Sequence, residues 1–468
     1  MRPTVRRPAI ALLAVVLVVA AGAGCERQAP AATGQPPGPV AIGDALPTPS
    51  PGGRPVRAAL LPPLRAGAPA PLPAQLQAAV ARARNDPALA PSLSVSVLDV
   101  ATAEPLLELG ADRMLLPAST AKIATAAAVL TALPPDLRLS TRVTAGGAPG
   151  VVVLVGGGDP TLAGPSARAD YPAPARLAEL ARRARATIGT ARVAKVLVDE
   201  SLYSGPRLGP EWRPSYVSEG SVAPVGPLMV DGGRVRPGRQ ARVADPALAA
   251  GQALAALLQP GAPVTVARGR AAPGAAVLGA VCSPPVPQLV AQMLTDSDND
   301  LAEALSRQVA LAQGRPASFA GAAAAQAQVL DGLLRTVGAA PGSIALVDAS
   351  GLSRRNRLQP AALTRLLTRA AAGDPQLAPI LPALPVAGFD GTLAMRFRGG
   401  AAAAGAGSVR AKTGTLDGVS ALAGTLRTAD GRLLAFDLTA DAVPPARRMR
   451  AEGALDALAA AFAACGCR

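Results

Sequence analysis

The sequence predicts an α/β chain of the α+β kind, with a main sheet assembled from both ends of the polypeptide. Three observations carry this expectation. Residues 92–97 alternate polar and apolar side chains at period two, turn at 101–103 and continue as a second strand over 105–109. Three more strand-like runs, 407–414, 420–426 and 432–439, lie near the other end, with Asp430-Gly431 at a hairpin turn. The chain between these ends reads largely as helix, and an antiparallel sheet must bury one face against such helices.

Taken in order, Arg2, Arg6 and Arg7 precede an apolar run over about residues 9–21, then Gly22-Ala23-Gly24 and Cys25. Residues 1–25 therefore read as an export signal whose apolar core is short for a membrane span. Cys25 after Gly24 resembles the lipid-modified cysteine of bacterial lipoproteins; a plain cleaved signal and an uncleaved anchor are the alternatives. Each reading puts the rest of the chain outside the cytoplasm, in the cell envelope or secreted, with the N-terminus as the point of any membrane anchoring. Residues 26–75 repeat Pro, Ala and Gly and read as an extended linker. Residues 73–85 have helical composition, 120–133 form an Ala-rich helix closed by Pro134-Pro135, and 445–464 form a final helix. Three cysteines remain in the exported part, and a bridge from Cys282 to Cys465 or Cys467 is expected there.

At 468 residues the chain has room for two to four domains, and its 50% apolar and 16% charged composition is that of a globular protein. It contains no histidine. That excludes Ser-His-Asp triads, Cys-His dyads and histidine-ligated zinc, so a general base must be Lys, Asp, Glu or Tyr. The net charge of +15 comes almost wholly from arginines scattered among Ala and Leu, and aromatics are 2%. Such a surface lacks the basic runs and stacking platforms of a nucleic-acid site, and no nucleic-acid partner is expected. The chain has three lysines, Lys122, Lys195 and Lys412. Arginine cannot lose its proton in a protein whereas a desolvated lysine can, so a lysine kept in an Arg-rich chain is a candidate for acid–base chemistry.

Ser119 and Lys122, in Pro117-Ala118-Ser119-Thr120-Ala121-Lys122, stand three apart at the start of the Ala-rich helix and so share a face. A serine hydroxyl needs an adjacent base, and a lysine one turn away serves if burial lowers its pKa from about 10.4. Ser297-Asp298-Asn299 precedes a helix start at Asp300-Leu301-Ala302-Glu303, and Lys412-Thr413-Gly414-Thr415 falls on a strand followed by a turn. Gly414 would let a substrate backbone approach that strand. Each motif alone reads by default as a cap, a turn or a strand end.

Together, and in this order, the three motifs resemble the active site of penicillin-recognising serine enzymes. The chain between Lys122 and Ser297 is itself the length of a domain, which resembles the low-molecular-weight class C penicillin-binding proteins, the D-Ala-D-Ala carboxypeptidase/endopeptidase family. Residues 157–162, 198–206, 229–233, 351–356 and 388–393 fit that family as well. The resemblance implies a β-lactamase/transpeptidase-like domain over 76–140 and 285–468, with a strand-rich inserted domain over 141–284. It implies Ser119 as nucleophile on the D-Ala-D-Ala bond of peptidoglycan stem peptides, with Lys122 as base. Ser297 would relay a proton, Asn299 would hold Lys122 and the substrate amide, and Lys412 and Thr413 would engage the terminal carboxylate. The backbone N–H groups of Ser119 and Thr415 would receive the oxyanion. β-Lactams would acylate Ser119, and no metal or cofactor is called for. Asp159 and Arg354 are further candidates for substrate recognition. A β-lactamase and a non-catalytic penicillin- or wall-binding protein are the alternative readings.

Overall fold

The computed structural model describes residues 67–465 apart from 91, 166–171, 237 and 239. The export signal with Cys25, most of the linker, and Cys467 lie outside the described residues. The chain opens with α1 (Pro73–Arg84), the hairpin β1 (Leu93–Asp99) and β2 (Pro105–Leu109), and α2 (Ala121–Ala132). It continues through β3 (Ser140–Ala145), β4 (Val151–Val155), α3 (Leu177–Ile188), β5 (Lys195–Asp199), the single turn α4 (Ser215–Ser218), α5 (Pro246–Leu258), β6 (Thr265–Arg268) and β7 (Val277–Cys282). Helices α6 (Val286–Thr295), α7 (Asn299–Ala312) and α8 (Phe319–Thr336) follow. The two-residue strands β8 (Ile344–Ala345) and β9 (Arg357–Leu358), then α9 (Pro360–Ala371) and the short α10 (Ile380–Ala383), come next. Strands β10 (Val409–Leu416), β11 (Val419–Arg427) and β12 (Leu433–Ala440) and helix α11 (Arg448–Ala464) complete it.

The two ends of the chain meet in one antiparallel sheet of order β10-β11-β12-β1-β2, in which Leu93 pairs with Ala440 and Asp99 with Leu434. Period two then decides which side chain serves which layer. Val95, Val97, Leu422, Phe436 and Leu438 face α1 and α11, whereas Ala423 and Ala435 join the core of α2 and α6–α9 on the other side. The alternation at 92–97 suggests one wet face, but Ser94 and Ser96 are fully buried, because α9 covers that side of β1. Their small side chains allow the close approach of the helix.

A second sheet, of order β6-β5-β4-β3-β7, uses the strands between Ser140 and Cys282. Its β4, β5 and β6 run parallel, so each step needs a crossover, and α3 and α5 supply them and bury Leu177, Leu180, Leu254 and Leu258 against it. This segment is therefore mixed helix and sheet. Its ends lie side by side, since Ser140 pairs with Cys282 and the Leu139 N–H donates to Ser283 Oγ at 2.9 Å. Cys282 is disulfide-bonded. Among the described residues no helix is long and apolar enough to cross a membrane.

Candidate active site

Ser119 sits in a 3-10 turn, Ala118–Thr120, that feeds into α2, not on the helix itself as its sequence position suggests. Ala118 is held at φ +48°, a strained conformation for a residue with a Cβ, and Thr120 Oγ1 fastens the turn by donating to the Pro117 carbonyl at 2.7 Å. Two glycines press on this peptide. A Cβ at Gly351 would stand 1.9 Å from the Ala118 carbonyl oxygen, and one at Gly414 would stand 2.7 Å from that of Pro117. The space at Gly414, expected to admit a substrate backbone, is thus occupied by the turn that carries Ser119.

From that turn α2 enters the core, its alanines and Lys122 fully buried. Lys122 Nζ lies 3.0 Å from Ser119 Oγ and donates to Asn299 Oδ1 and the Ser350 carbonyl, each at 2.6 Å. Burial pushes the ammonium down to about 8, while Asp348, Asp298, Glu303 and Asp300 limit the fall. A neutral amine has two N–H bonds and one lone pair. With Asn299 and Ser350 taking both N–H bonds, the lone pair is left facing the Ser119 hydroxyl, which is the orientation a general base needs.

Asn299 opens α7, whose first turn is capped by Asp298 accepting from the Leu301 N–H at 2.9 Å. Ser297, at the bend before it, has φ +57°. The Asn299 carboxamide is oriented from behind, because its Nδ2 donates at 2.8 Å to the carbonyl of Ser221 in the segment that carries the second sheet. Asp300 holds that loop by accepting from the Ala223 N–H at 2.8 Å and by a buried pair with Arg242 at 3.1 Å. Ser297 and Asn299 border a cavity of about 1400 Å³ that extends to Thr161, Ser221 and Arg234. No hydrogen bond joins the Ser297 hydroxyl to Ser119 or Lys122 among the described residues.

Lys412 is fully buried on β10, with Nζ donating to the Thr413 carbonyl at 3.0 Å; burial first, then the Lys122 and Arg396 cations, push it well below the usual lysine range. Thr413 Oγ1 meets Thr392 Oγ1 at 3.0 Å, and Thr415 Oγ1 donates to Glu452 Oε1 at 3.3 Å. Strand β10 is a sheet edge. The Ala411 N–H donates outward to Pro385 and the Val409 carbonyl accepts from Ala387, so odd-numbered residues turn their backbone groups away from β11. At period two, Thr413 and Thr415 do the same further along the edge. Asp159 is buried, accepts from the Thr161 N–H (2.8 Å) and hydroxyl (2.6 Å), and is pushed up to about 6 by burial; Arg354 is tied to the Asp417 carbonyl at 2.7 Å. Sequence reasoning missed Ser350, Ser221, Thr392 and Glu303. The first two act through carbonyl oxygens, which any residue type supplies.

Residues 76–241 and 238–462 match the profile of the D-Ala-D-Ala carboxypeptidase 3 (S13) family. The chain is 39% identical over 469 residues to Carboxypeptidase DacB of Mycolicibacterium smegmatis, covering 98% of this chain and 96% of that one. It is 42% identical over 409 residues to a carboxypeptidase of Mycobacterium tuberculosis, covering 85% of each. The crystal structure of penicillin binding protein 4 from Haemophilus influenzae shares the fold, with a TM-score of 0.63 at 22% identity over 78% of this chain and 93% of that one. A serine paired with a buried lysine, beside a sheet built from both chain ends, and a family match along nearly all of the described chain lead to one conclusion: the protein belongs to the D-Ala-D-Ala carboxypeptidase 3 (S13) family.

Proposed function

We propose that this D-Ala-D-Ala carboxypeptidase works through an acyl-enzyme on Ser119, with Lys122 as the general base. The observation that carries the reading is the buried Lys122 amine, saturated by Asn299 and Ser350 and facing Ser119. Neutral Lys122 takes the Ser119 proton as Oγ attacks the carbonyl between the two terminal D-alanines. The oxyanion lies against the Ser119 and Thr415 backbone N–H groups, the latter supported by the outward register of β10. The C–N bond breaks, the leaving amine receives a proton relayed through Ser297, and water then hydrolyses the ester. Lys412 and Thr413 engage the substrate carboxylate. Where the amine belongs to a neighbouring stem peptide, the same steps give endopeptidase cleavage. Residues 76–140 and 285–468 form the catalytic domain and 141–284 an inserted one, in a protein exported by residues 1–25 and tethered through Cys25 or released.

Incubation with purified muropeptides, followed by mass analysis, tests the reaction: pentapeptide stems lose one alanine, and cross-linked dimers split if the endopeptidase reaction runs. Labelling by a fluorescent penicillin tests the nucleophile. A label mapping outside the peptide that contains Ser119 would overturn the assignment.

A further inference from the structure

One buried carboxylate near the site touches neither Ser119 nor Lys122. Glu303 lies one helical turn after Asn299 on α7 and is buried to 1% exposure. Its Oε1 accepts from the backbone N–H groups of Ala349 (3.0 Å) and Ser350 (2.9 Å), and its Oε2 meets Arg307 at 3.2 Å. Arg307 is equally buried, with its guanidinium 4.2 Å from the centre of the Phe319 ring and 5.5 Å from that of Tyr203. The loop that Glu303 grips is the one whose Ser350 carbonyl accepts from Lys122. A second carboxylate, Asp348, clamps the far side, accepting from the Gly351 and Ser353 N–H groups, the Asn356 amide and the Trp212 indole.

An ion pair taken this far out of water is costly, and burial pushes the Glu303 carboxyl up. Apolar side chains of similar volume could close the same gap. What they could not do is hold two consecutive N–H groups so that the next carbonyl points at an amine. We propose that Glu303 is a positioning residue for the general base: it fixes the Ser350 carbonyl against Lys122, while Asn299, on the same face of α7, fixes the second acceptor. One helix face thereby sets both N–H directions of Lys122 and so the direction of its lone pair.

The inference rests on Lys122 being the base. Glu303 also acts on Lys122 through charge, alongside Asp298 and Asp300 of α7, Asp348 of the loop and the Lys412 amine of β10. The Glu303→Gln side chain keeps an oxygen for the backbone but loses the charge and the grip of Arg307. Removing a negative group makes the Lys122 ammonium easier to deprotonate. The acid limb of second-order acylation by penicillin should then move about one unit towards lower pH. With the carbonyl loosened, the plateau rate should fall about tenfold or more. A purely structural role would lower thermal stability and leave the acid limb in place.

Because Glu303→Gln strands Arg307, the double variant Glu303→Gln/Arg307→Met is measured alongside, with methionine filling the slot between Tyr203 and Phe319; having lost one charge of each sign, it should show a smaller shift of the limb but the same fall in the plateau rate. A folded single or double variant with the wild-type limb and plateau would overturn the proposal. Lys122→Arg and label mapping in the same series separate the two ideas. Normal acylation of Lys122→Arg overturns the base and this proposal together, whereas loss of acylation there with an unchanged Glu303 variant overturns this proposal alone.

Discussion

Replacing Lys122 with Arg adds one of the chain's commonest residues and retains the charge, so on composition alone it should do little. The structure gives a different expectation. Lys122 Nζ is fully buried against Ser119, Asn299 and Ser350, and its pKa is pushed down to about 8. At pH 7 roughly one molecule in ten then carries the free amine. A guanidinium, whose pKa stays above about 12, leaves fewer than about one in 10⁵. Loss of general-base assistance costs on the order of 10²–10⁴ in rate, and more where nucleophile and base act as a unit. Acylation of Lys122→Arg should therefore slow at least about a hundredfold, and Lys195→Arg, altered outside the site, should acylate normally. The wild type should also speed up as pH rises, reach half its maximum near 8, where half of Lys122 has lost its proton, and level off above that. The assay is second-order acylation by penicillin across pH, with thermal melting as a folding control. If the longer side chain prevents folding, Lys122→Met removes the amine without adding bulk and should be equally inactive. Near-normal acylation by either folded variant, or a flat wild-type profile, would refute the assignment of Lys122.

Two further predictions concern stability and the shape of the site. Gly351 has φ +87° and no room for a Cβ beside the Ala118 carbonyl, so Gly351→Ala should lower the melting temperature by several degrees and depress acylation together; an unchanged melt would refute the close approach. Asp437, buried on β12 opposite Ser96, is pushed up to about 7 by burial, with only the Thr439 hydroxyl to oppose the shift. The unfolded carboxyl ionises near 4 and the folded one near 7, so the folded state holds the extra proton and stability falls as pH rises between them. Asp437→Asn cannot ionise and should gain about 1–3 kcal/mol over wild type at pH 8 but little at pH 4, by denaturant unfolding; an equal difference at both pH values would count against it.

What the sequence made legible was local or chemical. Pro134-Pro135 ends α2 at Ala132, the period-two runs give β1 and β10–β12, the absent histidine points to lysine as a base, and the three side-chain motifs are recognised together by their resemblance to penicillin-recognising serine enzymes. What it left hidden depends on contacts between distant residues. The serines of β1 read as a wet face because nothing within that strand reveals that α9 lies on it. The strain at Ala118 and the carbonyls of Ser350 and Ser221 leave no trace in residue type, since every residue carries a carbonyl. Glu303 and Arg307 show the limit most clearly. At i and i+4 on a helix they have the spacing of an ordinary exposed ion pair, worth a few tenths of a kcal/mol. Yet the pair is buried to 1% exposure on both sides. The one hint is its company: Asn299, Glu303 and Arg307 are spaced four apart, so a helix that presents a motif residue to the site must bury the next two along the same stripe. Such a stripe leads inward from a known motif, and charged residues on it are better read as part of the site than as solvated surface.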